Sequence, residues 1–178
     1  INNSVNKGSF LINYTGHGGP LGWTQERILE VDQLNSWENS TKLPLFMTAT
    51  CKFSNFDDPD KVSAGEQLLL NKNGGAIALL TTTRLVYANP NYTLNTKFID
   101  VLYEKQNGEY PRLGDLYKQT KVLSGSGANT RNFILLGDPA ISLAYPKYNV
   151  STSSISDTIK ALETVTITGN VVDDSGFN

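Results

Sequence analysis

At 178 residues, with 39 % apolar and 18 % charged side chains, the chain is long enough to bury a core. Its formal net charge of −2 leaves no basic footprint for nucleic acid or an anionic membrane surface. One cysteine and one histidine exclude an internal disulfide framework and a zinc site built from Cys and His, and no apolar run reaches the roughly 18 to 20 residues of a bilayer span.

The chain opens on Ile1-Asn2-Asn3-Ser4 and is expected to be a piece of a longer protein. Ser9 to Thr15 reads as a buried strand that runs into Gly16-His17-Gly18-Gly19. Ile28, Leu29, Val31 and Leu34 then have the spacing of a short helix or irregular crossover, and Leu43 to Thr50 is the next strand. Ser63 with Glu66 three residues on forms a capping-box pattern before Leu68, Leu69 and Leu70, and Asn73-Gly74-Gly75 stops that helix.

Ala76 to Thr82 is a third apolar strand, followed by amphipathic helices over Thr93 to Lys105 and Leu113 to Leu123. Phe133 to Leu136 and Ile141 to Ala144 read as short strands split by Gly137-Asp138-Pro139. Apolar strands alternating with helical crossovers predict an α/β fold with a mostly parallel sheet covered on both faces. From about residue 147 the composition turns to Ser and Thr, and "TVTITGNVVDDSG" alternates in strand fashion. Residues 147–178 are therefore expected to be a linker and the first strand of a truncated β-sandwich domain, separate from residues 1–146.

The chemistry sits at two strand ends. His17, the one histidine, follows the first strand, and Cys51, the one cysteine, follows the second in "LPLFMTATCKFSNFDDP". Adjacent parallel strands deliver their C-terminal ends to one edge of a sheet, where ligands of open α/β sheets bind. Taken singly, His17 reads as a turn residue and Cys51 as a small buried hydrophobe. Taken together they form a dyad, in which an imidazole takes the proton of a thiol and passes it to a leaving amine. Gly18, with no Cβ, lets a backbone N–H approach a developing oxyanion.

Other features carry less. "SGSGANT", residues 124–130, follows no strand and reads as a loop and not a phosphate cradle. Trp23 and Trp37 read as packing residues before cleft walls. The triplets Asn39-Ser40-Thr41 and Asn91-Tyr92-Thr93 read as turn material.

His17-Gly18 and Ala49-Thr50-Cys51 resemble the His-Gly and Ala-x-Cys motifs of the caspase-like cysteine peptidases. "NYTGHGG", "FMTATCKFSNFDDP", "GEQLLLNKNGGAIALLTTTRLVYA" and "NFILLGDPAISLAYP" are similar to the gingipain family, and most of all to its sortase branch in Bacteroidetes type IX secretion. The resemblance spans residues 9 to 146. It implies a caspase-like fold, Cys51 as nucleophile, His17 as general base and acid, and the N–H groups of Gly18 and Cys51 as oxyanion hole, with no cofactor and no metal.

The sortase branch further implies polypeptide cargo with a C-terminal sorting domain, partners in the secretion machinery, a lipopolysaccharide amine as acceptor, and a place on the outer face of the outer membrane. The same resemblance implies that residues 1–146 are the C-terminal part of the catalytic domain, with its first half upstream of Ile1. Its loop after the third strand shapes the substrate pocket, which makes Arg84 and Tyr87 substrate-binding candidates. Read from the residues, Arg84 could equally pair with a surface carboxylate and Tyr87 could pack. For the acidic residue that orients the histidine in gingipains, Glu26, Asp57 and Asp58 are the nearest in sequence, although Asp57-Asp58-Pro59-Asp60 also reads as a solvated turn.

Overall fold

A computed structural model describes residues 1–24 and 26–173. The chain divides into two compact units, one over Ile1–Leu143 and one beginning at Ala144. Among the described residues no helix is long and apolar enough to cross a membrane.

The first unit opens with helix α1 (Asn2–Lys7), which the sequence did not announce, and strand β1 (Leu11–Thr15). A small antiparallel sheet follows, made of β2 (Gly18–Gly19), β3 (Gly22–Trp23) and β4 (Leu29–Glu30), and leads into α2 (Val31–Asn35). This sheet also lay outside the sequence expectations, because two-residue strands carry no periodicity to detect. Then come β5 (Leu45–Ala49), α3 (Ala64–Leu70), β6 (Ala78–Thr82), α4 (Ala88–Leu102), α5 (Leu113–Leu123), α6 (Ala128–Arg131) and β7 (Phe133–Leu136).

The main sheet has the order β1-β5-β6-β7, with β1, β5 and β6 parallel and β7 antiparallel to β6. This is the mostly parallel α/β sheet expected. Phe46 of β5 and Leu79 of β6, paired in register, turn to one face and join Trp23, Trp37, Phe53 and Leu68 in the core. Leu45 and Leu80 turn to the other face, against Phe98 of α4 and Leu113 and Leu116 of α5. Trp23 and Trp37 are both 2 % exposed, so both pack.

Local chemistry accounts for the boundaries. The capping box at α3 is formed: the Ser63 N–H and hydroxyl both donate to Glu66 Oε2, at 2.8 and 2.6 Å. Helix α4 starts earlier than its apolar pattern, with Pro90 in the first turn, where its missing N–H costs nothing. Ile141 to Ala144, expected as a strand, contributes only an isolated bridge between Arg112 and Ser142. Gly137, at φ 135, turns the chain away where a Cβ would lie 2.6 Å from that of Ala78.

Of the two Asn-x-Ser/Thr triplets expected as turn material, Asn39-Ser40-Thr41 is a turn closed by the Lys42 N–H on the Asn39 carbonyl at 2.8 Å, whereas Asn91-Tyr92-Thr93 lies in α4. Asn39 and Asn91 are 4 % and 5 % exposed, and each amide bonds to backbone carbonyls. In the second unit, β8 (Tyr148–Ser154) pairs antiparallel with β9 (Thr168–Asp173). Residues 148–154, read from the sequence as linker, are therefore strand; their Ser/Thr content suits an exposed, paired ladder as well as a loop. The end of the "TVTITGNVVDDSG" stretch, residues 174–176, lies outside the described residues.

Candidate active site

Strand β1 pairs with β5 from Leu11↔Leu45 to Thr15↔Ala49, and the Gly16 N–H extends the ladder to the Ala49 carbonyl at 3.3 Å. His17 and Cys51 thus stand two residues past paired strand ends, at equivalent positions on the same edge of the sheet. Parallel neighbours run about 4.8 Å apart, so the two residues leave from adjacent points of that edge. His17 is exposed and Cys51 half-buried.

The turn after β1 is braced from both sides. The His17 carbonyl accepts the Tyr14 hydroxyl at 2.6 Å and the Thr24 N–H at 2.9 Å, and the Tyr14 ring stacks on Trp23 with centroids 4.2 Å apart. Burial, and then the negative charge of Glu26, push the Tyr14 hydroxyl above its ordinary pKa, so it stays a donor at neutral pH. Tyr14 escaped the sequence reading; its one signal was an aromatic three residues before the histidine.

The same hairpin orients Gly18. Because His17 and Thr24 form a hydrogen-bonded pair, the next pair, Gly18↔Trp23, is of the non-hydrogen-bonded type. The Gly18 N–H therefore points out of the hairpin. A Cβ on Gly18 would lie 2.6 Å from Thr50 Oγ1, so the glycine lets this backbone lie directly against the residue before Cys51.

Past β5 the chain turns sharply, with Lys52 in the left-handed region at φ 53. Its N–H donates to the Arg84 carbonyl at 3.2 Å and that of Ser54 to the Thr82 carbonyl at 2.9 Å. The Cys51 Sγ donates to the Val86 carbonyl at 3.5 Å. Gly65 allows α3 to approach this turn, since a Cβ there would overlap Ser54 Oγ at 1.8 Å.

Of the two substrate-binding candidates, Arg84 is engaged by the protein itself. Its guanidinium donates to both Asp57 oxygens, to Asn55 Oδ1 at 3.0 Å and to the Thr83 carbonyl at 2.9 Å. These hydrogen bonds hold the Asp57 carboxyl below its usual range. Tyr87 lies at the start of α4 with its side chain 73 % exposed, on the loop whose Val86 carbonyl meets the thiol.

Among the acidic candidates, Asp57 is taken by Arg84, and Asp58 accepts from Asn55 Nδ2 and the Asp60 N–H. Glu26 lines an open cleft of about 390 Å³ together with His17, Gly18 and Thr24. It is the carboxylate of the three that shares a cleft with the histidine. Among the described residues no group of three or more His, Cys, Asp or Glu is placed to hold a metal ion.

Residues 1–144 match the family model "Peptidase family C25". The chain belongs to this family, the gingipain-type cysteine peptidases. Its fold matches the complex of Porphyromonas gingivalis RgpB pro- and mature domains at a TM-score of 0.71 and 20 % identity, over 85 % of this chain and 38 % of that one. It also matches the Arg-specific cysteine proteinase gingipain R (RgpB), at 0.68 and 22 % identity over 83 % of this chain and 37 % of the other. A further protease structure matches at 0.69 and 17 % identity, covering 97 % of this chain and 48 % of that chain. The C25 chain thus spans less than half the length of each of these structures. No curated protein sequence matches it.

Proposed function

We propose that this C25 chain carries the nucleophile and the general base of a cysteine endopeptidase of the PorU type, the sortase of type IX secretion. The observation that supports it most is the placement of His17 and Cys51 at equivalent ends of adjacent parallel strands. In this reading His17 takes the Cys51 proton and the thiolate attacks the scissile carbonyl. The N–H groups of Gly18 and Cys51 hold the oxyanion, and the imidazolium returns its proton to the leaving amine. What remains is a thioester on Cys51. Water resolves it to an acid; an amine held beside the dyad resolves it to an amide.

The cargo is a secreted polypeptide whose C-terminal sorting domain leaves as the amine product, and the acceptor is a lipopolysaccharide amine on the outer face of the outer membrane. The wall of the acceptor site is the stretch from Thr81 to Tyr92, which runs from the end of β6 into the first turns of α4, with Tyr87 offered to solvent. Arg84 serves it from within the Asp57 pair. The residue similarities of His17-Gly18, Ala49-Thr50-Cys51 and the longer strings around them support the sortase branch.

The test gives the full-length protein a cargo with its sorting domain, with and without lipopolysaccharide, and reads the new terminus by mass spectrometry. An amide-linked terminus, lost in Cys51→Ala, is expected. A purely hydrolysed terminus with every amine offered reduces the proposal to a hydrolytic endopeptidase. No cleavage in any arm leaves a binding module of the secretion machinery.

A further inference from the structure

We propose that Asn91 and Asn129 are positioning residues for the Cys51 thiol, acting through the chain segment 83–87; this rests on the reading of Cys51 as nucleophile. That segment belongs to neither strand nor helix, yet its backbone is tied at every residue. The Thr83 N–H donates to the Asn132 carbonyl at 2.9 Å, the Arg84 carbonyl accepts the Lys52 N–H at 3.2 Å, and the Leu85 carbonyl accepts Asn132 Nδ2 at 2.8 Å. The Val86 carbonyl accepts Cys51 Sγ at 3.5 Å, and the Tyr87 N–H donates to Asn129 Oδ1 at 2.7 Å.

Behind it runs a relay of amides. Asn129 Nδ2 donates to Asn91 Oδ1 at 3.1 Å, and Asn91 Nδ2 donates to the Ala49 carbonyl at 3.3 Å. The orientation of each amide is set by its partners: Asn91 must present its NH2 to a carbonyl, so its oxygen accepts, so Asn129 donates and keeps its own oxygen for the Tyr87 N–H. The Ala49 carbonyl also receives the Gly16 N–H, one residue before His17. One connected set of bonds therefore joins the end of β1, the end of β5 two residues before Cys51, and the peptide that follows the Val86 carbonyl.

The placement of these bonds has a chemical consequence. A carbonyl accepts a hydrogen bond from S–H, so the Val86 carbonyl sets the direction in which the Cys51 thiol points. The relay holds that carbonyl in place by fixing the peptide it belongs to. The Cys51 Sγ is thus directed at the 83–87 segment, and reaches the imidazole when the thiol turns away from Val86. Asn91 is 5 % exposed, a position where an apolar side chain would fill the same space without needing two partners.

The experiment follows alkylation of Cys51 by iodoacetamide against pH in the full-length protein, with the modified peptide quantified by mass spectrometry. Asn129 is half-buried and its truncation to Ala is the main variant; Asn91→Ala and the double variant accompany it. His17, Glu26, Lys52 and the Arg84–Asp57 pair, the titratable and charged groups of the elements around the thiol, are unchanged in all three. Asn129→Ala is expected to raise the alkylation rate roughly threefold across the profile, because the thiol is no longer held toward Val86. Asn91→Ala should shift the rate the same way, and the double variant no further. An alkylation rate equal to wild type, or a lower one, in folded Asn129→Ala overturns the proposal, and so does a change in melting temperature alone. Turnover is not read, so failure of the cargo assay would sink the peptidase reading without touching this comparison.

Discussion

Replacing Gly18 by alanine tests the oxyanion geometry with one carbon atom. Gly18 lies outside the positive-φ region, so its backbone accepts an L side chain and any penalty is steric. The new Cβ would stand 2.6 Å from Thr50 Oγ1, 2.9 Å from the Gly22 carbonyl oxygen and 3.2 Å from Thr50 Cγ2. Restoring an ordinary contact needs a displacement of about 0.8 Å in a close-packed site. A misplacement of ~1 Å costs about a hundredfold in rate, and complete loss of one oxyanion donor ~10²–10³-fold. Gly18→Ala should thus lower kcat/KM by between about ten- and a hundredfold, with an overpacking cost of ~1–3 kcal/mol in stability.

The companion variant makes the cause visible. Thr50 Oγ1 is buried without a hydrogen-bond partner among the described residues, so Thr50→Ala forfeits no bond while clearing two of the three contacts. In the double variant kcat/KM should recover to within about threefold of Thr50→Ala alone, a coupling of ~1–2 kcal/mol. The assay is steady-state cleavage of cargo by the full-length protein, with melting curves to confirm folding. Wild-type kcat/KM in Gly18→Ala, or no recovery in the double variant, would refute the placement of the Gly18 N–H at the reacting carbonyl.

Cys51→Ala and His17→Ala should each abolish cargo cleavage at unchanged melting temperature, and the double variant should be no worse, because the two act as one unit; residual activity in Cys51→Ala would point to another nucleophile. The Arg84–Asp57 pair should make the segment around Asp57 pH-sensitive. Its folded pKa is lowered, so the contribution is present above the ordinary carboxylate value and disappears as pH falls through the lower folded value. Hydrogen exchange at residues 55–60 should accelerate over that acidic range in wild type and already be fast at neutral pH in Arg84→Gln; equal rates in the two proteins would contradict it. Phe46→Ala, at a fully buried position between Trp23 and Trp37, should cost ~3–5 kcal/mol in denaturant unfolding. A loss under about 1 kcal/mol would mean that this face of the sheet is not the core.

Much of this protein was legible in its sequence because the signals are local. The three parallel strands announced themselves as continuous apolar runs, α3 by Ser63 and Glu66 at capping distance, and α5 by its amphipathic period from Leu113 to Leu123. His17 and Cys51 could be paired in advance, since a parallel sheet sends successive strand ends to one edge. Other features depended on the tertiary structure, because they rest on groups that only the folded chain brings together. The β2-β3-β4 sheet is too short to show a period, yet it is what aims the Gly18 N–H. Arg84 had two open readings, and the choice of Asp57 as its partner came from bringing the β5 and β6 turns side by side. Asn91 looked like turn material, and no sequence pattern marks an amide whose acceptor is the carbonyl of Ala49, 42 residues away. Periodicity and capping are written along the chain; the hydrogen bonds that aim a thiol and an N–H are decided by which backbone groups the fold brings side by side.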